Sequence, residues 1–308
     1  MFEDIINKQT TPENIKIYKQ ECNNNHLASD CMKIVIKNNK ILESSYNNSR
    51  WEQRVIGYNR MIENCLKENK IKDCIIKIAL GDQPKKGYFN FCRKKNETGY
   101  FLIPNFRFTI DNIVNTQYYD CLNNSLQWND IIEYIYSNDK TKFQDKMSKM
   151  IFIGGNQHKQ RKKYFEILYN NPNAIYDGYL WTQCHDKLAN IGKSGKEFIH
   201  FKTYFNYKYT IYIDGSTNSD RLRLFLLLNS VPFYCKSSYE EFYTYLLKPN
   251  VNYIQFSDVS ELSNIFTRCE QDSDLCNEII NNNKLFIENT LTTRNIYKYI
   301  ADLLNKLN

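Results

Sequence analysis

Glycine and proline are scarce in this chain, which has only 10 of the one and 6 of the other among its 308 residues. That scarcity argues against collagen-like and low-complexity proteins. No apolar run approaches the ~20 residues that a membrane-spanning helix needs, so we expect no membrane span. The phosphate-binding sequences GxxxxGKS, GxxxxGKT and GxGxxG are absent, and with them the standard signatures of P-loop and dinucleotide-binding proteins.

Patterns that bind metals are also missing. The four histidines have no ligand spacing and the ten cysteines contain no CxxC pair, so we expect no metal and no cofactor. The even number of cysteines leaves a disulfide such as Cys22–Cys31 or Cys269–Cys276 open. Because no secretion signal is visible, we favour reduced thiols.

The first residues, Met1 to Asp4, have neither the basic start nor the apolar core of a signal peptide. We therefore expect a cytoplasmic protein. The chain is rich in Asn, Lys, Ile and Tyr, which is the bias of an AT-rich genome, viral or protist. If the source is viral, the expected compartment is the host cytoplasm.

The formal net charge of +7 suits anionic ligands such as nucleotides. A basic nucleic-acid-binding protein is one alternative, but no stripe of Lys and Arg interleaved with aromatic residues supports it. The densest basic run, residues 159–163, is short, and a solvated helix face explains it. We expect no nucleic-acid partner.

Alternating strands and helices predict an α/β fold. The length of 308 residues is enough for two domains of ~150 residues each, and a hydrophobic content of 42% supports real cores. The charged, weakly patterned stretch 137–148 predicts an N-terminal domain over 1–147 and a C-terminal domain over 148–308, with the last helices able to pack back on the first domain.

Residues 1–50 show only short helical patches. The remaining pattern predicts mostly parallel sheets covered on both faces, with strands at 74–80, 88–92, 150–153, 209–213, 231–235 and 253–256, and helices at 128–136, 157–169, 239–247, 259–267, 274–288 and 292–306. Two such domains facing each other would form a ligand-binding cleft.

Residues 207–221, YKYTIYIDGSTNSDR, predict an anion-binding turn. An alternating apolar strand ends at Asp214, a turn of small residues follows, and Arg221 opens an amphipathic helix. Free backbone N–H groups and the positive end of a helix dipole bind phosphate groups, and an arginine adds a two-pronged donor. The alternative is an ordinary strand-to-helix turn. The residues predicted to line the site are Gly215, Ser216, Thr217, Asn218, Ser219 and Arg221.

Several motifs occur in an order that resembles glycosyltransferase family 90, the protein O-glucosyltransferase and capsule-associated group. The similar segments cover roughly residues 55–300: LGDQP at 80–84, FC at 91–92, IPNF at 103–106, FIG at 152–154 with Arg161, YTIYIDGSTNSDR at 209–221, SV at 230–231, YEEFY at 239–243 and LKPNVNY at 247–253. The resemblance implies a GT-B fold with two Rossmann-like domains facing a central cleft. It also implies inverting sugar transfer without a metal.

The same resemblance implies roles for particular residues. Asp82, the aspartate of LGDQP, would be the general base. Arg221 would contact the donor diphosphate, and Arg161 would also lie at the donor. Glu241 would lie near the nucleotide or sugar. Departures from the family pattern are Ile153 in place of an arginine, Asn250 in place of a tryptophan and Asn252 in place of a histidine.

The residues themselves leave alternatives open. Asp82 follows an apolar strand, where partial burial would make it a better base, but it could instead cap the turn 81–84. Arg161 and Glu241 could both be residues on a solvated helix surface. The triplet Asp272-Ser273-Asp274 has the DxD form of metal-dependent transferases. Because it precedes a helix instead of following a strand, we interpret it as a helix cap.

The resulting hypothesis is an inverting, metal-independent glycosyltransferase. It would move a sugar, glucose or xylose first among the candidates, from a UDP-sugar to a hydroxyl on a protein or glycan acceptor. A catalytically impaired nucleotide-sugar-binding protein of the same fold is the alternative that the Ile153 departure motivates. The sequence leaves the oligomeric state open.

Overall fold

The computed structural model describes residues 1–109, 126–155, 158–170, 175–180 and 201–308. Its helices are α1 Glu3–Gln9, α2 Pro12–Asn23, α3 Glu52–Glu68, α4 Trp128–Asn138, α5 Lys159–Asn170, α6 Leu222–Phe225, α7 Leu262–Gln271, α8 Ser273–Asn289 and α9 Thr293–Leu307. Its strands are β1 Cys31–Lys37, β2 Lys40–Tyr46, β3 Cys74–Ala79, β4 Phe89–Asn90, β5 Arg93–Lys94, β6 Phe101–Leu102, β7 Met147–Gly154, β8 Tyr176–Leu180, β9 Tyr207–Tyr212, β10 Val231–Cys235, β11 Tyr239–Glu240 and β12 Ile254–Phe256. The predicted α/β class is confirmed. Within the described ranges, no helix is long and apolar enough to cross a membrane.

The N-terminal sheet has the strand order β2-β1-β3-β4-β6. β1 pairs antiparallel with β2 and with β3, whereas β3, β4 and β6 are parallel. The hairpin β1–β2 turns at Asn38 and Asn39, whose φ angles of 51° and 58° are those of a tight hairpin turn. The sequence analysis missed this hairpin, because β2 lies at the sheet edge and exposes most of its side chains. A mostly parallel sheet was therefore the wrong prediction for this half.

The C-terminal sheet is parallel throughout, with the strand order β12-β10-β9-β7-β8. Its central strands are buried on both faces, which explains why they read as apolar runs. In register, Met150 of β7 lies beside Tyr209 of β9, and Val231 of β10 lies on the other side of Tyr209. The carboxyl ends of β7 and β9 therefore adjoin each other at one edge of the sheet.

Two predicted helices are wrong or too long. The segment predicted as a helix over 239–247 forms strand β11 and then a 3-10 turn, Thr244–Leu246. Pairing with β5 overrides the helical pattern here, and a buried ion pair of 2.8 Å between Arg93 Nε and Glu240 Oε1 holds it. The helix after Arg221 is a single turn, α6, and the buried residues 226–228 continue it as turns. So short a helix has little macrodipole to offer an anion.

The interpretation of the triplet 272–274 as a helix cap is confirmed. Asp272 caps α8, because its carboxylate accepts a hydrogen bond of 3.0 Å from the backbone N–H of Leu275. Both Cys269 and Cys276 are free thiols, as are Cys22 and Cys31. Cys121 lies outside the described residues, and so does Cys184.

Helix α9 returns to the N-terminal half, where it packs against α3 and α1. The Tyr299 hydroxyl donates to the carbonyl of Leu102 in β6 (2.8 Å) and accepts from the Gln9 amide (2.9 Å). The larger hydrophobic core consequently contains residues from both ends of the chain and from both sheets.

A buried ion pair fixes the segment between the two sheets. Lys146 Nζ lies 2.7 Å from Asp139 Oδ1, and both side chains are almost completely buried. The same ammonium donates to the Ser230 hydroxyl (3.0 Å), and Asp139 Oδ2 accepts from the backbone N–H of Asn229 (2.7 Å). The end of α4 is thereby held against the start of β10.

Replacement of Lys146 with Met should destabilise the protein by about 3 kcal/mol, because it leaves the Asp139 carboxylate buried without its cation. Urea unfolding measures the change. Lys142→Met, at an exposed lysine four residues earlier, is the matched control and should leave the free energy of unfolding nearly unchanged. Equal stabilities for the two variants would show that the buried pair contributes nothing specific.

Candidate functional site

Arg161 lies at the carboxyl ends of β7 and β9. It is in the first turn of α5, and its guanidinium donates to the carbonyl of Ile213 through Nη2 (2.8 Å) and Nε (3.2 Å). A third, longer bond of 3.4 Å runs from Nη1 to the carbonyl of Gly155. Arg161 is 7% exposed, so the alternative of a solvated helix face is wrong.

Arg221 approaches the same place from the other side. Its Nη1 donates to the carbonyl of Ile153, the last residue but one of β7. Gly154 permits this approach, since a Cβ there would lie 3.3 Å from Nη1 of Arg221 and only 2.8 Å from the ring of Phe152. Ile153 stands where the family pattern has an arginine, and its side chain is buried. Its backbone carbonyl binds the guanidinium of Arg221.

The two guanidinium groups are close enough to repel each other. Burial, and then the positive charge of Arg221, lower the pKa of Arg161 to about 10. Among the described residues, neither arginine forms an ion pair. Two neighbouring cations at the ends of parallel strands, neither in an ion pair with a described carboxylate, form a site suited to a diphosphate.

Asp214 and His158 flank this pair. Burial raises the pKa of Asp214 to about 6, although the hydroxyl of Ser237 donates to its Oδ2 at 2.6 Å. The other carboxylate oxygen is buried and has no hydrogen bond to any residue that the structure describes. Burial, together with the positive charges of Arg161 and Lys159, lowers the pKa of His158.

The small-residue turn is partly occupied by the protein itself. The Ser219 N–H donates to the hydroxyl of Tyr212 (2.9 Å), so this amide is not free for a ligand, contrary to the prediction. Thr217 is buried, whereas Ser216 is exposed. Gly215 lies beside Arg161, since a Cβ there would be 3.5 Å from Nη2 of Arg161. The anion site therefore depends on arginine side chains more than on turn amides.

Glu241 lies next to this turn and is buried, with 2% of its surface exposed. Its Oε1 accepts a hydrogen bond of 2.8 Å from the Asn218 side chain, and its Oε2 has no partner in the described residues. Burial, and then the negative charge of Asp220, raise the pKa of Glu241 to about 8. Glu241 therefore binds a proton more readily than an ordinary glutamate. Because the side chain is buried, the alternative of a helix-surface glutamate is wrong.

Asp82 lies in the N-terminal half, three residues after the end of β3. Its side chain is 52% exposed, so the partial burial expected from the sequence is not found. Oδ1 lies 2.9 Å from Nη2 of Arg54, whose side chain is only 20% exposed. The sequence analysis missed Arg54, because it comes from α3 and 28 positions separate it from Asp82.

Asp220 connects the two halves beside Arg221. Its carboxylate forms an ion pair with Arg107, which lies in the 3-10 turn Phe106–Phe108 of the N-terminal half. Burial alone would raise the pKa of Asp220, but four arginines outweigh it and hold the pKa below its ordinary value: Arg107, Arg223, Arg221 and Arg54. Sequence reasoning included Asp220 in the motif 209–221 without a role for its side chain, and Arg107, which directly follows the motif IPNF at 103–106, was not considered.

Asp82 is connected to the arginine pair through Arg54 and Asp220. Arg54 pairs with Asp82 and also acts on Asp220, which directly precedes Arg221. In the part of the chain that the structure describes, no group of three or more His, Cys, Asp or Glu side chains is placed to hold a metal ion. The arrangement can bind a diphosphate at one end and accept a proton at the other.

The chain is similar in sequence to several known proteins. Protein O-glucosyltransferase 1 of Rattus norvegicus is 26% identical over 166 residues, which is 53% of this chain and 42% of the rat protein. The Homo sapiens protein of the same name is 26% identical over 163 residues, 52% of this chain and 42% of the human one. Human protein O-glucosyltransferase 3 is 22% identical over 182 residues, 58% of this chain and 35% of that protein. The chain thus covers less than half the length of these relatives.

The sequence profile of glycosyl transferase family 90 matches residues 5–307, nearly the whole chain. The match includes both sheets, Asp82 and the arginine pair. The chain belongs to glycosyl transferase family 90.

Proposed function

We propose that this chain is an inverting, metal-independent glycosyltransferase of GT-B architecture. It transfers a sugar, glucose or xylose, from a UDP-sugar to a hydroxyl group of a protein or glycan. The observation that carries the proposal is the adjacent pair Arg161 and Arg221 at the carboxyl ends of β7 and β9. Two neighbouring cations provide the charge stabilisation that a leaving diphosphate needs.

Several further observations support parts of the proposal. The two sheets, each in one half of the chain, support the GT-B architecture with its Rossmann-like halves. The relatives' name, protein O-glucosyltransferase, supports glucose as the sugar and a protein as the acceptor. A cytoplasmic location, in the host if the source is viral, is a prediction from the sequence alone.

The proposed reaction is a single displacement at the anomeric carbon. Asp82 takes the proton of the acceptor hydroxyl, and the acceptor oxygen forms the new bond to the anomeric carbon. The bond from that carbon to the diphosphate oxygen breaks, and UDP leaves with the bonding electrons. Arg161 and Arg221 stabilise the added negative charge. Because Asp82 is half exposed, solvent can remove the proton afterwards.

The whole proposal is tested by UDP release from UDP-glucose and UDP-xylose, with water, Ser/Thr peptides and oligosaccharides as acceptors. We expect release that EDTA leaves unchanged and added Mg²⁺ or Mn²⁺ does not increase. An α-linked donor should give a β-linked product, which NMR identifies. UDP binding without any release would instead identify a nucleotide-sugar-binding protein of this fold, and salt-sensitive DNA or RNA binding without UDP binding would favour the nucleic-acid alternative.

Replacement of Arg221 with Ala should weaken UDP binding about 10- to 100-fold, because it removes charge-assisted hydrogen bonds to the diphosphate. Calorimetric titration with UDP measures the change. Arg268→Ala is the matched control, since it removes an exposed arginine from α7. If both variants bind UDP as the unaltered protein does, the diphosphate does not lie at Arg221.

Replacement of Asp82 with Asn should lower kcat about 10²- to 10⁴-fold, because the amide cannot accept the proton of the acceptor hydroxyl. UDP affinity should be unchanged, since Asp82 lies on the other half of the molecule. Asp145→Asn, at an exposed aspartate, should be fully active. Retained activity in the Asp82 variant would rule out its role as the base.

A further inference from the structure

The two carboxylate oxygens of Asp82 differ in their hydrogen bonding. Oδ1 receives the Nη2 donor of Arg54 at 2.9 Å, while Oδ2 has no hydrogen bond within the described residues. Arg54 also donates through Nη1 to the carbonyl of Leu80, two residues before Asp82. The guanidinium of Arg54 therefore binds both the backbone of the loop, at Leu80, and the side chain of Asp82. These two hydrogen bonds limit the rotation of the Asp82 carboxylate.

Arg54 is itself fixed by its surroundings. Its guanidinium lies 4.2 Å from the ring centroid of Trp51 and within 6 Å of the rings of Phe91 (5.7 Å) and Phe106 (5.6 Å). The Trp51 ring is held in turn, because its indole N–H donates to Oδ1 of Asp30 at 2.9 Å. A planar guanidinium stacked between aromatic rings keeps its donors in one direction.

Asp30 completes this support from the N-terminal sheet. It adopts a left-handed backbone conformation (φ 54°), and its carbonyl accepts the N–H of Leu80 at 2.8 Å. Asp30 thus contacts the ring under Arg54 and the strand end that leads to Asp82. This is more support than a surface ion pair receives, since such a pair usually contributes little because both side chains move freely.

We infer that Arg54 is the positioning residue for Asp82: it holds Oδ1 so that Oδ2 is presented to the acceptor hydroxyl. This inference rests on the proposed function, in which Asp82 is the base. Arg54 does not contact the reacting atoms. Because a base must lie within hydrogen-bond reach of the proton it removes, holding one oxygen fixes the location of the other.

Arg54 has a second connection, to the diphosphate end. Its charge contributes to the low pKa of Asp220, and Asp220 is paired with Arg107 and directly precedes Arg221. One cation of the N-terminal half therefore acts on two carboxylates, on Asp82 through a hydrogen bond and on Asp220 through its charge.

The test uses the full chain and measures UDP release with the fastest acceptor of the panel, water included. Arg54→Gln should lower kcat about 10- to 100-fold, because a displaced base loses its alignment. The Kd for UDP should not change. Arg54→Lys keeps the charge but loses the two-pronged grip, so its kcat should lie between those of the Gln variant and the unaltered protein.

Arg50→Gln is the matched control. Arg50 packs on the same Trp51 ring, at 4.5 Å from its centroid, but it pairs with Asp30 and not with Asp82. It should keep full activity. Equal losses in the Arg50 and Arg54 variants would show that only the aromatic cluster was disturbed and would overturn the inference.

The decisive readout is a double-mutant cycle. If Arg54 acts through Asp82, the variant with both Asp82→Asn and Arg54→Gln should be no slower than Asp82→Asn alone. A further loss in the double variant would contradict the inference. Failure of the proposed function is distinguishable, since it would appear as an active Asp82→Asn variant. An inactive Asp82→Asn with a fully active Arg54→Gln would overturn only the role of Arg54.

Discussion

Two backbone carbonyls, those of Ile153 and Ile213, orient the cations of the site. They lie at the ends of adjacent parallel strands, and each accepts from one arginine, Ile153 from Arg221 and Ile213 from Arg161. The register between β7 and β9 therefore sets the distance between two like charges. Holding them together is electrostatically unfavourable, and an anionic ligand relieves the repulsion. Substitution of the family arginine at position 153 leaves this geometry in place, because it is the main chain at Ile153 that binds Arg221.

The side of the site that carries Asp82 is organised differently. There, a side chain of α3 reaches the loop after β3, and aromatic rings hold that side chain in place. At this end Asp30 accepts a hydrogen bond from Trp51, the Trp51 ring packs on Arg54, and Arg54 pairs with Asp82. Strand register thus positions the arginine pair, whereas side-chain stacking positions Arg54 and Asp82. The ion pair of Arg107 with Asp220 joins them.

The parts that could be predicted from sequence are those that depend on local pattern. The buried strands β3, β7, β9 and β10 have apolar runs, and the cap at Asp272 has a short polar signal. The hairpin strand β2 could not be predicted, because an exposed edge strand carries no apolar alternation. The strand β11 was missed because its pairing partner, β5, lies far away in the chain. Arg161 and Arg221 could be identified because each lies in a recognisable motif. Arg54 could be identified only from the fold, because its partner Asp82 lies far from it in the chain.

The return of α9 to the N-terminal half also affects the order of folding. Tyr297 in α9 accepts at its backbone carbonyl from the thiol of Cys65, 232 positions earlier, and Tyr299 reaches Leu102 across 197 positions. During synthesis, the apolar face of α3 that α9 covers stays exposed until α9 itself has left the ribosome. Contacts of such high sequence separation form slowly, because a long loop must close before they stabilise anything. The packing around α3 and α1, although these helices are made early, is therefore completed only when α9 has docked.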